Sequence, residues 1–187
     1  MNKFLILLLI FTVSACSSPQ PHFYQPVAVK TTDVTYNDFK GSLLIQSVLL
    51  PAEASRPQIT TIGKNDSRLK IDEFNRWGAS PEKLIQRIIG QNLNTYLPNA
   101  TIEVQTSIKK NYKYAVAVEI TDMIGKLGEE ATLSASYFIK DQNGKVVKSG
   151  KLSESVAIEN GYDAYVLAQS RLIGALTAQI AADISRL

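Results

Sequence analysis

The chain has 187 residues, of which 45% are hydrophobic and 20% charged, a composition typical of one globular domain and not of a disordered chain. Its formal net charge is only +3, and the sequence shows no concentrated Lys/Arg face, which argues against nucleic-acid binding. A single cysteine, Cys16, and a single histidine, His22, exclude an internal disulfide and zinc sites built from several such ligands. Since the carboxylates form no evident acid–base pair, we predict no catalytic residue, no metal ligand and no dissociable cofactor.

The first element is a leader, residues 1–15 (MNKFLILLLIFTVSA), with Lys3 ahead of an apolar run that is too short to span a bilayer. Val13–Cys16 then matches the bacterial lipobox of an aliphatic residue, two small residues and a cysteine. We predict cleavage before Cys16, with S-diacylglycerol on its thiol and an N-acyl chain such as palmitate on its amine. The alternative is an ordinary signal peptide with a chance cysteine, and we favour lipidation because the only cysteine falls at the position the lipobox requires.

A tether follows the acylated residue. The residue after Cys16 is Ser17 and not an aspartate, which predicts the periplasmic face of the outer membrane as the destination. Residues 16–26 are rich in proline and are predicted to form an extended lipidated tether, in which ten residues reach about 30 Å. Residues 22–24 are also compatible with the start of an edge strand. The folded domain is predicted over residues 27–187.

Hydrophobic patterns then predict the elements of the domain. Leu43–Leu50 is an aliphatic run typical of a buried strand, and two short strands around Gly63 are typical of a hairpin. Ser80 and Pro81 predict the start of a helix, with serine as the cap, and apolar residues at helical spacing continue it up to Pro98. Alternating strands from Tyr114 to Val156 predict an antiparallel meander, and a long Ala-rich helix is predicted from Tyr162 to Leu187. The predicted fold class is α+β, a mainly antiparallel sheet with two helices on one face.

Two groups of polar residues have open interpretations. The segment Asp72–Gly78 holds the only tryptophan, Trp77, beside Arg76, and we consider either a loop that anchors a partner or a tryptophan that fills the junction of sheet and helix. We favour the second. Lysines 140, 145, 148 and 151 mark one hairpin, and lysines 109, 110 and 113 form a second group. Both groups are compatible with contacts to anionic lipid, although solubility of an exposed edge is the more common role.

Several segments together resemble the PqiC family of ABC-type transport auxiliary lipoproteins, over nearly the whole chain after the leader. The resemblance rests on the lipobox, on Arg56-Pro57-Gln58-Ile59 after a strand ending in Pro51, on Glu73-x-Asn75-Arg76-Trp77, on Pro81 opening a helix, and on Ala168, Ser170, Leu172, Leu176 and Ile180 in the last helix.

This resemblance implies a non-enzymatic subunit of a PqiABC-like, MCE-type lipid transport system that supports envelope integrity. The implied partners are a PqiB-like MCE-domain protein, its membrane subunit and further copies of the chain in a ring. Arg56, Arg76 and Trp77 are the residues that the resemblance marks for docking or structure. A lipid-binding carrier and a structural lipoprotein that assembles another envelope complex stay open as alternatives. A carrier requires an apolar cavity between sheet and helices, whereas an adaptor has a filled core.

Overall fold

A computed structural model of the chain describes residues 19–65, 67–106 and 111–187. The leader, Cys16 and Lys109 and Lys110 therefore lie outside the described residues. In this described part of the chain, two helices pack with two sheets, one of three strands and one of five, and both sheets contain parallel and antiparallel pairs. The predicted α+β class with a mixed sheet is confirmed.

The five-stranded sheet has the strand order β5-β2-β6-β7-β8. The aliphatic strand β2 lies between two parallel neighbours, and its Leu43, Ile45 and Val48 are buried as the run of apolar residues predicts. Strands β6, β7 and β8 pair antiparallel in succession, so the predicted meander is confirmed. The strand bounds are Ser42–Leu49 for β2, Thr101–Val104 for β5, Tyr114–Lys126 for β6, Glu130–Lys140 for β7 and Val146–Ala157 for β8.

Helices α1 (Pro81–Tyr96) and α2 (Tyr162–Ile184) contact each other and the same five-stranded sheet. Both follow their predicted stripes, because the stripe residues of α1 are all buried and those of α2 are buried from Tyr165 to Ile184. The predicted capping by Ser80 is wrong: its side chain caps no helix amide, and its hydroxyl donates to the Glu82 carboxylate instead. Proline at the first turn, whose missing N–H needs no partner there, still marks the start of α1.

The smaller sheet has the order β1-β4-β3, with bounds His22–Tyr24 for β1, Gln58–Ile62 for β3 and Leu69–Trp77 for β4. Strands β3 and β4 form the predicted hairpin. The segment from Asp72 to Trp77, however, is not a loop, because it continues β4 and pairs with β1 and β3. Residues 22–24 form an edge strand, which is the alternative to an extended tether that the sequence offered for these residues.

Candidate docking surface at the N-terminal strand

The small sheet has two faces with different chemistry. Successive side chains along a strand point to opposite faces, so Leu69 and Ile71 lie opposite Lys70 and Asp72. We call the side of Lys70 and Asp72 the inner face, because Asp72 bonds to helix α2 there. The side of Leu69 and Ile71 is the outer face.

A bulge in β4 is built around the Asp72 carboxylate. Its Oδ1 accepts hydrogen bonds from the backbone N–H of Phe74 at 3.0 Å and of Asn75 at 2.9 Å, and from Asn75 Nδ2 at 2.9 Å. The register with β3 jumps at this point, since Ile59 pairs with Asp72 whereas Gln58 pairs with Arg76. A short polar side chain that bonds its own backbone favours this kind of local departure from the ladder.

The same carboxylate joins the sheet to helix α2. Tyr162 Oη, at the first residue of α2, donates to Asp72 Oδ2 at 2.9 Å, and Lys70 Nζ lies 3.3 Å from that oxygen and 5.4 Å from the Tyr162 ring centroid. Burial acts to raise the pKa of Asp72, but the hydrogen bonds from Asn75, Tyr162 and the Phe74 amide outweigh it and hold the pKa well below the usual carboxylate range. Asp72 is therefore ionised and paired at neutral pH.

Strand β1 is attached through the same cluster. Tyr24 Oη donates to Asn75 Oδ1 at 3.0 Å, and the Tyr24 and Tyr162 ring centroids lie 6.2 Å apart. The Gly78 amide also donates to the Tyr24 carbonyl at 2.7 Å. These contacts tie the residues that follow the tether to β4 and to α2.

The three sequence-predicted docking or structural residues lie at different depths. Arg56 is exposed in the loop before β3, and Arg76 is half-buried on β4, in register with Gln58 and Phe23. Within the part of the chain that the structure describes, neither guanidinium forms an ion pair or a hydrogen bond. Trp77, in contrast, is only 6% exposed and packs beside Pro26 and helix α1. The structure thus places the two arginines at the surface and Trp77 in the core.

Sequence reasoning missed a set of exposed apolar side chains around these arginines. We call Phe23, Leu69, Ile71 and Phe74 the outer patch. Their exposed fractions are 66%, 53%, 40% and 43% respectively. Apolar residues at alternate positions of the 69–71 segment were a usable signal, but Phe74 is hidden from a simple alternation by the bulge at Asp72.

The hollows in the structure bear on the carrier alternative. An apolar hollow between Trp77, Pro81, Leu84 and Met123 has an empty volume of about 150 Å³ and admits no water-sized sphere. Larger clefts, with empty volumes of about 950 and 880 Å³, open to the surface and carry charged residues, among them Lys64, Lys70 and Glu129 in the first and Asp163 and Arg171 in the second. Neither resembles the enclosed apolar cavity that an acyl chain requires.

Metal sites and membrane spans are further features that bear on the function of the domain. Among residues 19–65, 67–106 and 111–187, no group of three or more His, Cys, Asp or Glu side chains is placed to hold a metal ion. Every helix among those residues falls short of the length and apolarity needed to cross a membrane. His22 is exposed at the beginning of β1.

Comparison with known proteins gives a family and several similar structures. A family model described as "ABC-type transport auxiliary lipoprotein component" matches residues 24–181. No curated protein sequence matches the chain significantly.

Solved structures share the fold at low sequence identity. A DUF330 protein from Xanthomonas campestris superposes with a TM-score of 0.70 at 12% identity, covering 86% of this chain and 92% of its own. An uncharacterised protein gives a TM-score of 0.61 at 16% identity, with 87% and 98% coverage. PelC from Paraburkholderia phytofirmans, crystallised as a dodecamer, gives 0.50 at 12% identity, with 87% and 94% coverage. The similarity to PqiC-like proteins expected from the sequence is confirmed.

Proposed function

Because the chain belongs to the family of ABC-type transport auxiliary lipoprotein components, we propose that it is a non-catalytic adaptor of an MCE-type intermembrane lipid transport system. Acyl chains on Cys16 hold it at the periplasmic face of the outer membrane, where it contributes to envelope integrity. The lipobox at Val13–Cys16 and the Ser17 that follows it support this placement. Residues 16–21 then form the tether, and the domain docks an MCE-domain partner and its membrane subunit.

The observation that carries the adaptor role is the family match over residues 24–181, combined with a filled interior. Large side chains such as Tyr96, Tyr137 and Tyr165 are at most 1% exposed, and they occupy the space between sheet and helices where a carrier needs its cavity. A domain of this kind acts through its surface. Anchoring then raises its effective concentration for a partner in the same envelope, without any new contact.

We further propose that identical subunits assemble, as the PelC dodecamer of similar fold does. The exposed guanidinium of Arg56 and the half-buried one of Arg76 are the docking candidates, since arginine is enriched among residues that dominate interface energetics. Trp77 acts as a positioning residue, because its ring fills the junction between β4 and helix α1.

The test is a detergent pull-down of the tagged, lipidated chain from its native envelope. We expect an MCE-domain protein among the recovered partners, and we expect Arg56→Ala with Arg76→Ala to reduce that recovery while the protein stays folded. Lys83→Ala is the control, since Lys83 is a cation on helix α1 and not on the small sheet. Recovery of lipopolysaccharide or assembly machinery alone, without an MCE protein, contradicts the proposal.

A further inference from the structure

The outer patch belongs to one small sheet. Single exposed apolar residues are ordinary on any protein, but Phe23, Leu69, Ile71 and Phe74 all belong to one sheet of three strands, and β1 contributes only three residues to it. Large exposed apolar side chains that share one small sheet are candidates for contacts with another protein or with a membrane. The question is which of these occupies the patch.

The path of the chain favours a membrane. Cys16 and His22 are six positions apart, so an extended chain places them at most about 20 Å from each other. Phe23 is the next residue, and its strand is fixed to the domain through Tyr24. If Cys16 is acylated, the outer patch is held next to the lipid, because the tether ends in the strand that carries Phe23.

The charges around the patch agree with a lipid surface. Arg56 and Arg68 are exposed near the ends of strands β3 and β4, and Arg76 lies in register with Phe23. The exposed carboxylate of Glu73 accepts a hydrogen bond from Gln58 Nε2 at 3.2 Å, which partly satisfies it. Apolar side chains bordered by cations are typical of segments that lie in the interface with anionic headgroups beside them.

We propose that the outer face of the small sheet rests on the membrane to which Cys16 is anchored, with the outer patch among the headgroups. Arg56 and Arg76, at the border of the patch, remain the residues that dock the partner. This inference rests on the acylation that the proposed function requires. The lysine-rich β7–β8 hairpin is then not the surface that meets the lipid. Lys148 in that hairpin lies 3.5 Å from the Asp183 carboxylate, so it is committed to a contact within the domain.

Fluorescence quenching by brominated lipid tests this orientation on the full lipidated chain. Cys16 is the only cysteine and its sulfur is used in the thioether, so an introduced cysteine is the single free thiol for a fluorophore. Labels at Phe74→Cys and Ile71→Cys probe the patch. Leu167→Cys and Val147→Cys are matched controls, since the exposed fractions are 43% at both Phe74 and Leu167, and 40% and 39% at Ile71 and Val147.

The labelled proteins are reconstituted in vesicles of phosphatidylethanolamine with a minority of phosphatidylglycerol, with or without bromine near the headgroup end of the acyl chains. We expect the labels at positions 71 and 74 to lose about half of their emission to brominated lipid, as insertion by about 5–10 Å implies, and the controls to lose none. Quenching at position 147 or 167 instead, or at no position, overturns the proposed orientation.

Three further outcomes test the proposal and its premises. A protein that floats with the vesicles while positions 71 and 74 stay unquenched overturns the orientation and leaves the anchor intact. A protein that does not float overturns both the anchor and the orientation. Emission at position 74 that changes with protein density but not with bromination identifies a second copy of the chain on the patch, which also overturns the lipid contact.

Discussion

Asp72 combines three structural tasks in one side chain. It shapes the bulge of β4, accepts the Tyr162 hydroxyl at the start of α2 and pairs with Lys70. Its pKa lies well below the ordinary value, so the folded chain binds this proton less tightly than the unfolded chain. The resulting stabilisation is complete above the unfolded pKa of about 3.9 and is lost as the pH falls toward the folded value.

We expect Asp72→Asn to lower the free energy of unfolding by about 1–2 kcal/mol at neutral pH, because hydrogen bonds to a charged group are replaced by weaker ones. Urea unfolding at several pH values measures this. The difference from the wild type shrinks as the pH falls below about 4. Glu73→Gln is the control, since this exposed carboxylate accepts a single hydrogen bond among the described residues, from Gln58, and its effect stays within about 0.5 kcal/mol. A difference that is independent of pH contradicts the linkage.

Gly150 is a second residue whose identity is set by a neighbour. It pairs directly with Tyr137, a buried residue whose hydroxyl donates to Asp183 at 2.6 Å, and a Cβ at position 150 overlaps the tyrosine ring and hydroxyl. Burial and the Asp183 carboxylate raise the pKa of Tyr137 well above its ordinary value, so the hydroxyl remains a donor.

We expect Gly150→Ala to lower the free energy of unfolding by about 2 kcal/mol, because the buried ring has to move out of its packed position. Gly78→Ala is the matched control, since its Cβ meets only the Tyr24 carbonyl oxygen at 3.4 Å, an ordinary contact. Thermal or urea unfolding compares the two variants. Equal stability of both variants contradicts the role assigned to Gly150.

At the scale of elements, the sequence predicted those whose pattern is local. The apolar stripe of α1, the aliphatic run of β2 and the alternation of β6 and β7 each appear within one segment. The extent of β4 was missed, because the bulge at Asp72 interrupts its alternation and its last residues are largely polar. Strand β5 was missed because four residues carry too little pattern.

We expect Tyr24→Ala to release strand β1, since it removes the hydrogen bond to Asn75 and the ring contact with Tyr162. The Gly78 amide, which donates to the Tyr24 carbonyl, reports this as faster hydrogen exchange. Phe23→Ala is the matched control on the same strand, because its side chain is 66% exposed and faces the other side. Unchanged protection of Gly78 in Tyr24→Ala shows that the backbone pairing alone holds β1.

At the scale of the whole molecule, the sequence predicted the class of fold but not its division into two sheets. The small sheet depends on pairing β1 with β4, and β2 pairs with β5 and β6, across more than 50 residues in each case. Hydrophobic periodicity contains no information on such partners, and one chain alone offers no covariation to supply it. Arg56 was accessible only through the family resemblance and Arg76 also through its place beside the only tryptophan, whereas the outer patch as a whole required the structure.

The folded domain is expected to be independent of the anchor. The buried core extends from Phe39 to Ile184, so nothing in it depends on the modification of Cys16. A Cys16→Ala variant exported with a cleavable, non-lipoprotein leader is expected in the soluble periplasmic fraction, with a melting temperature within about 2 °C of the detergent-solubilised wild type. Membrane retention of this variant, or its unfolding, contradicts the separation of anchor and domain.

The account as a whole depends on the covalent state of one residue, and intact-mass spectrometry of the protein purified from its native membranes measures that state. We expect a chain that begins at Cys16 and carries the combined mass of a diacylglyceryl group and an N-acyl chain. A chain that keeps residues 1–15, or one that begins at residue 16 without acyl groups, contradicts the account.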